Sequence, residues 1–128
     1  MTGSRLTVVA RLTCVSYALA LTGAAQRLVD EHLEHRTLTP EQVAQALNIS
    51  TRTLYRAFAV NGEPLMAYVR RRRLERALAD LADPQRCLNV AEIAARWGFA
   101  DSSHLARACR GKYGQTPTEY VRAQASAA

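Results

Sequence analysis

The chain has 128 residues, the size of one ordinary domain, and is 48% hydrophobic and 22% charged. This balance is typical of a globular protein and excludes an intrinsically disordered chain. The formal net charge of +6 favours a polyanionic partner. Sixteen of the 17 basic residues are Arg, whose guanidinium can donate two parallel hydrogen bonds to a phosphate or a guanine edge. Genomic base composition also accounts for an excess of Arg over Lys, but it does not explain the sign of the net charge.

The three cysteines, Cys14, Cys87 and Cys109, are widely spaced and form no CxxC pair. An odd number without a framework argues for a reducing compartment and against disulfides or structural zinc. Arg5 and Arg11 interrupt the apolar N-terminal stretch, and no run reaches the length of a membrane-spanning helix. We therefore expect no signal peptide, no membrane association and a cytoplasmic location.

Residues 1–22 form an N-terminal extension, which is either a helix docked on the core or the remnant of an upstream domain. Apolar spacing predicts an amphipathic helix from Arg5 to Leu21, carrying Leu6, Val9, Leu12, Val15, Leu19 and Leu21. Gly23 marks its expected end. A second helix is predicted from Ala24 to His35. Its His32 and His35 could share a metal, but without a third ligand nearby a solvated pair is favoured.

A pair of short helices is predicted over residues 40–60. Thr39 followed by Pro40 is typical of a helix start, and the first helix should run from Glu41 to Leu47. Asn48 takes the turn, and the second helix, capped by Ser50, should run from Thr51 to Val60. Its predicted buried residues are Leu54, Ala57 and Phe58. Its predicted exposed residues are Arg52, Thr53, Tyr55 and Arg56.

The longest predicted helix is a linker from Pro64 to Ala82. Its expected packing residues are Leu65, Val69, Leu74, Leu78 and Leu81. Four consecutive arginines, Arg70 to Arg73, point all round a helix, so some of them must pack their stems along the core. A helix of about 19 residues is roughly 28 Å long.

A second pair of helices is predicted over residues 90–113. Asn89 and Glu92 form a capping signature, Gly98 makes the turn, and Asp101 caps the next helix. The predicted buried residues are Ile93, Ala94, Trp97, Leu105, Ala108 and Cys109. The predicted exposed residues are Ser102, Ser103, His104 and Arg107. A short helix, Pro117 to Arg122, and a frayed tail, residues 123–128, complete the chain.

The two pairs of helices repeat one pattern at an offset of 50 to 52 residues, with Val43 matching Ile93 and Leu47 matching Trp97. Two short helices, a tight turn and polar residues on the second helix are typical of a helix-turn-helix. The sequence predicts an all-α fold: two homeodomain-like helix-turn-helix subdomains joined by the long linker helix, about seven helices plus the extra N-terminal one.

Residues 23–122 resemble the DNA-binding domain of AraC/XylS-type transcription regulators. The resemblance is carried by Ile93-Ala94, Gly98-Phe99, Ser102-Ser103-His104-Leu105, Arg107, Tyr113-Gly114, Thr116-Pro117 and Tyr120. It implies sequence-specific binding of double-stranded DNA by a monomer, with one domain across two adjacent major grooves, and RNA polymerase as a partner. It implies no cofactor, metal or catalytic residue, and no effector site is evident in this chain.

The resemblance also implies which residues would contact DNA. Base contacts fall on Arg52, Tyr55, Arg56, Ser102, Ser103, His104 and Arg107. Separately from the resemblance, backbone amides at helix starts and peripheral arginines are expected to bind phosphates, which predicts phosphate contacts at Ser50, Thr51, Arg71, Arg72, Arg96 and Arg110. Cys109 departs from the family's usual Phe, and Gly111 lies where glycine weakens a helix by about 1 kcal/mol. Both features predict a looser second unit.

Two other classes of protein are alternatives for this sequence. An enzyme would need a nucleophile with its base, or a metal cluster, and the sequence contains no GxSxG, HExxH or phosphate-binding loop. A helical protein-interaction module, or a regulator fragment without autonomous DNA binding, remains the alternative to a DNA-binding transcription regulator.

Overall fold

The computed structural model describes residues 2–86 and 88–127, with side chains from Cys14 onward. Within this part of the chain the fold is entirely α-helical, as predicted. The helices are α1 (Thr2–Glu31), α2 (Pro40–Ala46), α3 (Thr51–Asn61), α4 (Leu65–Ala82), α5 (Val90–Arg96), α6 (Ser102–Tyr113) and α7 (Pro117–Ala127). They form two compact units. The first comprises residues up to His32 and Thr37–Val69, and the second comprises Leu33–Arg36 and residues from Arg70 onward.

The first helix corrects the prediction. α1 continues through Gly23, so the predicted N-terminal helix and the helix from Ala24 are one element, which ends at Glu31 rather than His35. Gly23 does not have a left-handed backbone. An interior glycine costs only about 1 kcal/mol relative to Ala, and the complete burial of Ala25 and Val29 just after it offsets that cost. The predicted packing of Leu6, Val9 and Leu12 lies outside the described side chains.

The C-terminal half of α1 packs on α3 in the first unit. Thr22 is buried, and its Oγ1 lies 2.9 Å from the carbonyl oxygen of Ala18 and 3.1 Å from that of Ala57. The Tyr68 hydroxyl donates to the carboxylate of Asp30 at 3.0 Å. These buried polar groups are therefore satisfied, which is a condition for a stable core.

The same backbone turn joins the two short helices in each unit. Asn48 has φ 56° and Gly98 has φ 84°, both in the left-handed region. The next residue donates its N–H to the carbonyl of Ala44 at 3.0 Å in the first unit and of Ala94 at 2.9 Å in the second. Asn tolerates this conformation better than most residues, and Gly adopts it freely. The repeat seen in the sequence is thus a repeat of backbone geometry.

α4 buries the stripe that the sequence predicted for the linker helix. Leu65, Val69, Leu74 and Leu78 are buried, and Leu81 is half-buried. Arg70 is exposed, whereas the next three arginines are half-buried. The prediction that some members of the arginine run must pack their stems is therefore confirmed. No helix among the described residues has the length and apolarity needed to cross a membrane.

Trp97 and Asp80 form the buried polar centre of the second unit. The indole Nε1 of Trp97 donates to Asp80 Oδ2 at 2.8 Å, and both side chains are largely inaccessible to solvent. Arg86 Nε lies 3.4 Å from Asp80 Oδ1, and Arg96 Nε lies 3.9 Å from Asp80 Oδ2. The carboxylate is therefore compensated by charge and by a hydrogen bond, as a buried acid must be.

Residues Leu33–Arg36 belong to the second unit because arginines bind their backbone and side chains there. The Arg73 guanidinium donates to the carbonyl oxygens of Leu33 at 3.0 Å and His35 at 2.7 Å. Burial lowers the pKa of Arg73 from its ordinary value. Arg36 in turn donates to the carbonyl of Ala95 in α5. These contacts were not predicted from the sequence, because they join residues roughly 40 and 60 positions apart in the chain.

The C-terminal helix also corrects the prediction. α7 extends to Ala127, so most of the stretch expected to fray is helical. Thr116 caps its start by accepting the N–H of Glu119 at 3.2 Å. Beyond Arg122 the sequence is Ala-Gln-Ala-Ser-Ala, which contains no helix breaker and is rich in the best helix former. Residue composition thus allows the helix to continue without burial.

Cys109 is fully buried, as predicted, while Cys14 is exposed and Cys87 lies outside the described residues. Burial, with a smaller effect from the Glu119 charge, raises the pKa of the Cys109 thiol. Cys109 is therefore a packing residue of α6.

Asp80→Ala should destabilise the second unit by about 2 kcal/mol, because it leaves the buried Trp97 N–H without an acceptor. Trp97 is the single tryptophan, so its fluorescence during urea unfolding reports on this unit. Asp83→Ala is the matched control, since its carboxylate is more exposed and lies 3.8 Å from Arg86. Equal destabilisation by both variants would contradict the role assigned to Asp80.

Gly111→Ala should raise the free energy of unfolding by about 0.5–1 kcal/mol, because Gly111 lies inside α6 and an added Cβ would meet no atom within 4 Å. Gly114→Ala is the control. It has the same open space, but its φ of 71° is strained for alanine. We expect it to lower the free energy of unfolding. Chemical denaturation followed by circular dichroism measures both changes, and a destabilising Gly111→Ala would refute the prediction.

Candidate nucleic-acid interface

The second helix of the first unit, α3, presents one polar face to solvent. Ser50 caps it by accepting the backbone N–H of Thr53 at 3.1 Å. The buried side consists of Leu54, Ala57 and Phe58. The exposed side carries Arg52, Tyr55 and Arg56. Positions three and four apart lie on one face of a helix, so these three side chains form a single surface.

The second helix of the second unit, α6, is built in the same way. The Asp101 carboxylate caps it by accepting the backbone N–H of His104 at 2.7 Å. Leu105 and Cys109 are buried beneath it. The exposed side carries Ser102, Ser103, His104, Arg107 and Arg110. All seven residues predicted from the sequence to contact bases are therefore exposed, and they lie on the two equivalent helices.

The ring of His104 is held in a defined orientation. The Ala100 N–H donates to His104 Nδ1 at 3.0 Å, and the Phe99 ring meets the imidazole edge to face at a centroid distance of 5.3 Å. Because Nδ1 accepts a hydrogen bond, the proton of the neutral ring lies on Nε2. His104 therefore offers solvent a hydrogen-bond donor, which can bind a phosphate oxygen or an acceptor on a base edge.

The charged residues of α3 and α6 are all basic. Neither helix contains Asp or Glu, while together they carry four arginines and one lysine. Among the residues whose side chains are described, no acidic group forms an ion pair with Arg52, Arg56, Arg107 or Arg110. These guanidinium groups keep their full hydrogen-bonding capacity, which is what contact with an anionic ligand requires.

The residues predicted to bind phosphate fall into two groups. Arg110 is exposed, and Ser50 and Thr51 begin α3. By contrast, Arg71 Nη1 lies 2.9 Å from Glu75 Oε1, and Arg72 contacts the other oxygen of Glu75. Arg96 lies 2.9 Å from Glu34 and covers the Trp97 ring at 5.5 Å. A phosphate would have to compete with these acids, a cost that the sequence did not reveal.

Two exposed, acid-free helices, each the second of a helix pair, define a helix-turn-helix protein with two units. A family model described as a helix-turn-helix domain matches residues 43–123. The chain belongs to this family, in its AraC-type branch of transcription regulators. The fold and the family are those of regulators, not of enzymes.

Named relatives support this assignment. The chain is 35% identical over 100 residues to the regulatory protein HrpB of Ralstonia nicotianae, covering 76% of this chain and 21% of that protein. It is 31% identical over 100 residues to the transcriptional activator NphR of a Rhodococcus species, covering 78% of this chain and 29% of that protein. The chain thus spans less than a third of the length of these two relatives.

Solved structures share the fold. A probable AraC family regulator from Rhodopseudomonas palustris is 26% identical, with a TM-score of 0.69 over 83% of this chain and 95% of that one. The DNA-binding domain of the global transcriptional factor AdpA, solved in complex with a target DNA, is also 26% identical. Its TM-score is 0.65, over 80% of this chain and 90% of that one.

Proposed function

We propose that this chain binds double-stranded DNA sequence-specifically and regulates transcription, with α3 and α6 as recognition helices in adjacent major grooves. The observation that carries the proposal is that both helices of the repeat contain no acid and expose arginines that have no acidic partner among the described side chains. An α-helix fits the major groove of B-DNA, where each base pair presents a distinct pattern of donors and acceptors. The AdpA domain, which shares the fold, is a structural precedent for DNA as the ligand.

Base contacts are assigned to the exposed faces of the two recognition helices. Arg52, Arg56 and Arg107 can each donate two hydrogen bonds to O6 and N7 of guanine. The ring of Tyr55, half of whose surface is exposed, can pack on a thymine methyl group. Ser102, Ser103 and the Nε2–H of His104, whose side chains are shorter than arginine, can form hydrogen bonds with base edges.

Phosphate contacts are assigned to the flanks of the recognition helices. The backbone amides at Ser50 and Thr51 lie at the start of α3, where free N–H groups and the helix dipole favour an anion. Arg110 is the strongest cationic candidate because it is exposed and none of the described acidic side chains pairs with it. Phosphate binding by Arg71 or Arg72 would weaken their ion pairs with Glu75, and phosphate binding by Arg96 would weaken its ion pair with Glu34.

The linker helix supports the assignment to adjacent grooves. α4 has 18 residues, which at a rise of about 1.5 Å per residue gives roughly 27 Å. Successive major-groove faces on one side of the duplex are about 34 Å apart. A connection of this length is compatible with a single chain, as a monomer, that places one recognition helix in each of two adjacent major grooves.

The biological setting follows from this activity. The relatives include a transcriptional activator, and we extend to this chain an activating role with RNA polymerase as the protein partner. A regulator acts in the compartment that holds the chromosome, so we assign it to the bacterial cytoplasm.

Arg52→Ala or Arg107→Ala should each cost about 1–3 kcal/mol on the preferred site and relax the preference at one base pair. Site selection from a random duplex library gives the preferred site, and a fluorescence titration gives the affinities. Arg27→Ala is the control, because it removes the same charge from an exposed position on α1. Equal losses on the preferred site and on unrelated DNA would show that these arginines do not contact bases.

Affinity should fall steeply with salt, because arginines that neutralise phosphates displace counterions. Four neutralised phosphates give a slope of about −3.6 for log affinity against log salt concentration. Arg110→Ala should reduce the magnitude of this slope by about 1, while Arg27→Ala should leave it unchanged. A flat titration of the unaltered protein would refute DNA binding through phosphates.

A further inference from the structure

His104 is fixed at its backbone and at its ring by the turn that precedes α6. Its backbone N–H donates to the Asp101 carboxylate at 2.7 Å, and its Nδ1 accepts the N–H of Ala100 at 3.0 Å. The buried Phe99 ring packs edge to face against the imidazole. The His104 side chain is nonetheless exposed. Its Nε2 is the polar ring atom that no described residue contacts.

These contacts make the exposed atom of His104 a donor only. A backbone N–H can only donate, so Nδ1 must accept, and the neutral ring carries its proton on Nε2. Turning the ring over would place a carbon atom against the Ala100 N–H and lose this hydrogen bond. The two nitrogens of an imidazole point in widely different directions, so the Nε2–H bond is directed away from the turn. The acceptor of the ring is therefore occupied, and the donor is presented to solvent.

The equivalent position in the first unit does not present such a donor. Thr53 follows the capping residue Ser50 by three positions, as His104 follows the capping residue Asp101. The Thr53 hydroxyl lies 2.9 Å from Ser50 Oγ, so it takes part in the cap, and Thr53 is half-buried. The oriented donor is therefore particular to the second unit and is not a feature of the repeat.

We propose that His104 recognises a purine, guanine or adenine, by donating its Nε2–H to N7 in the major groove. The proposal rests on the proposed DNA binding by α6. Both purines present N7 as an acceptor there, whereas cytosine presents a donor and thymine a methyl group beside O4. Adenine differs from guanine in the N6 donor next to N7. Because Nδ1 is occupied, His104 offers no acceptor to that donor, and it should therefore select purines without distinguishing between them.

The test uses the preferred duplex from site selection, with each purine replaced in turn by its 7-deaza analogue, which has C–H in place of N7. At one purine, this replacement should lower the affinity of the unaltered chain about threefold to tenfold, the range for one neutral hydrogen bond. The same replacement should not change the affinity of His104→Asn. The Asn side-chain oxygen can still accept the Ala100 N–H, but the side chain has no atom at the Nε2 position.

Thr53→Ala is the matched control, because it alters the equivalent position of α3. It should lose as much affinity as the unaltered chain when N7 of that purine is removed. Circular dichroism confirms that each variant is folded.

His104→Gln should narrow the preference at the same base pair from either purine to adenine. The Gln amide carries both a donor and an acceptor, which match N7 and N6 of adenine. Site selection with this variant measures the change, which a purely structural role of His104 would not produce.

Two results would overturn the proposal. One is that no purine shows a 7-deaza effect that His104→Asn removes. The other is that His104→Asn loses as much affinity for unrelated DNA as for the preferred site, which would indicate a phosphate contact. An unaltered chain that binds no DNA would overturn the proposed function as well. DNA binding that responds to Arg52→Ala, but shows no N7 effect dependent on His104, would overturn this inference alone.

Discussion

One left-handed residue between two short helices is the constraint on which both units depend. At Asn48 and Gly98 the chain leaves one helix and turns, and the following N–H returns to the carbonyl of Ala44 or Ala94. The turn leaves room for only a few residues before the capping residue of the next helix. The second helix of each pair therefore buries one fixed face and exposes the other.

The arginines on the recognition helices differ from several other arginines in whether an acidic side chain binds them. Three arginines outside the recognition helices, Arg71, Arg72 and Arg96, have acidic partners. Arginines on the exposed faces of α3 and α6 have no acidic partner among the described side chains. A guanidinium already paired with a carboxylate gains less from a phosphate, so Arg52, Arg56, Arg107 and Arg110 are better suited to bind an anion than Arg71, Arg72 and Arg96.

The second unit combines an apolar core with polar contacts between residues distant in the chain. Trp97 is fixed through its N–H to Asp80, and Arg73 holds the backbone of Leu33 and His35. Both contacts involve α4, so the linker helix also supports the second helix pair. Because α5 has only seven residues, such contacts supply orientation that a short helix cannot obtain from apolar packing alone.

The sequence by itself determined the helical class, the repeat, the caps and the exposed faces of α3 and α6. These features are local. A capping side chain, a left-handed turn residue and the 3.6-residue spacing of apolar side chains each depend only on residues within one or two helical turns. Local signals misjudged Gly23 and the stretch after Arg122. Glycine does not end a helix whose following turns are buried, as Ala25 and Val29 are, and alanine-rich residues extend a helix.

Only the tertiary structure decided which arginines are paired, that Asp80 receives the indole of Trp97, and that Leu33–Arg36 joins the second unit. These contacts connect residues that are distant in the chain, and their energies depend on burial and on geometry that periodicity does not encode. The sequence placed cations on the helices, and the fold determined which of them remain available to a ligand.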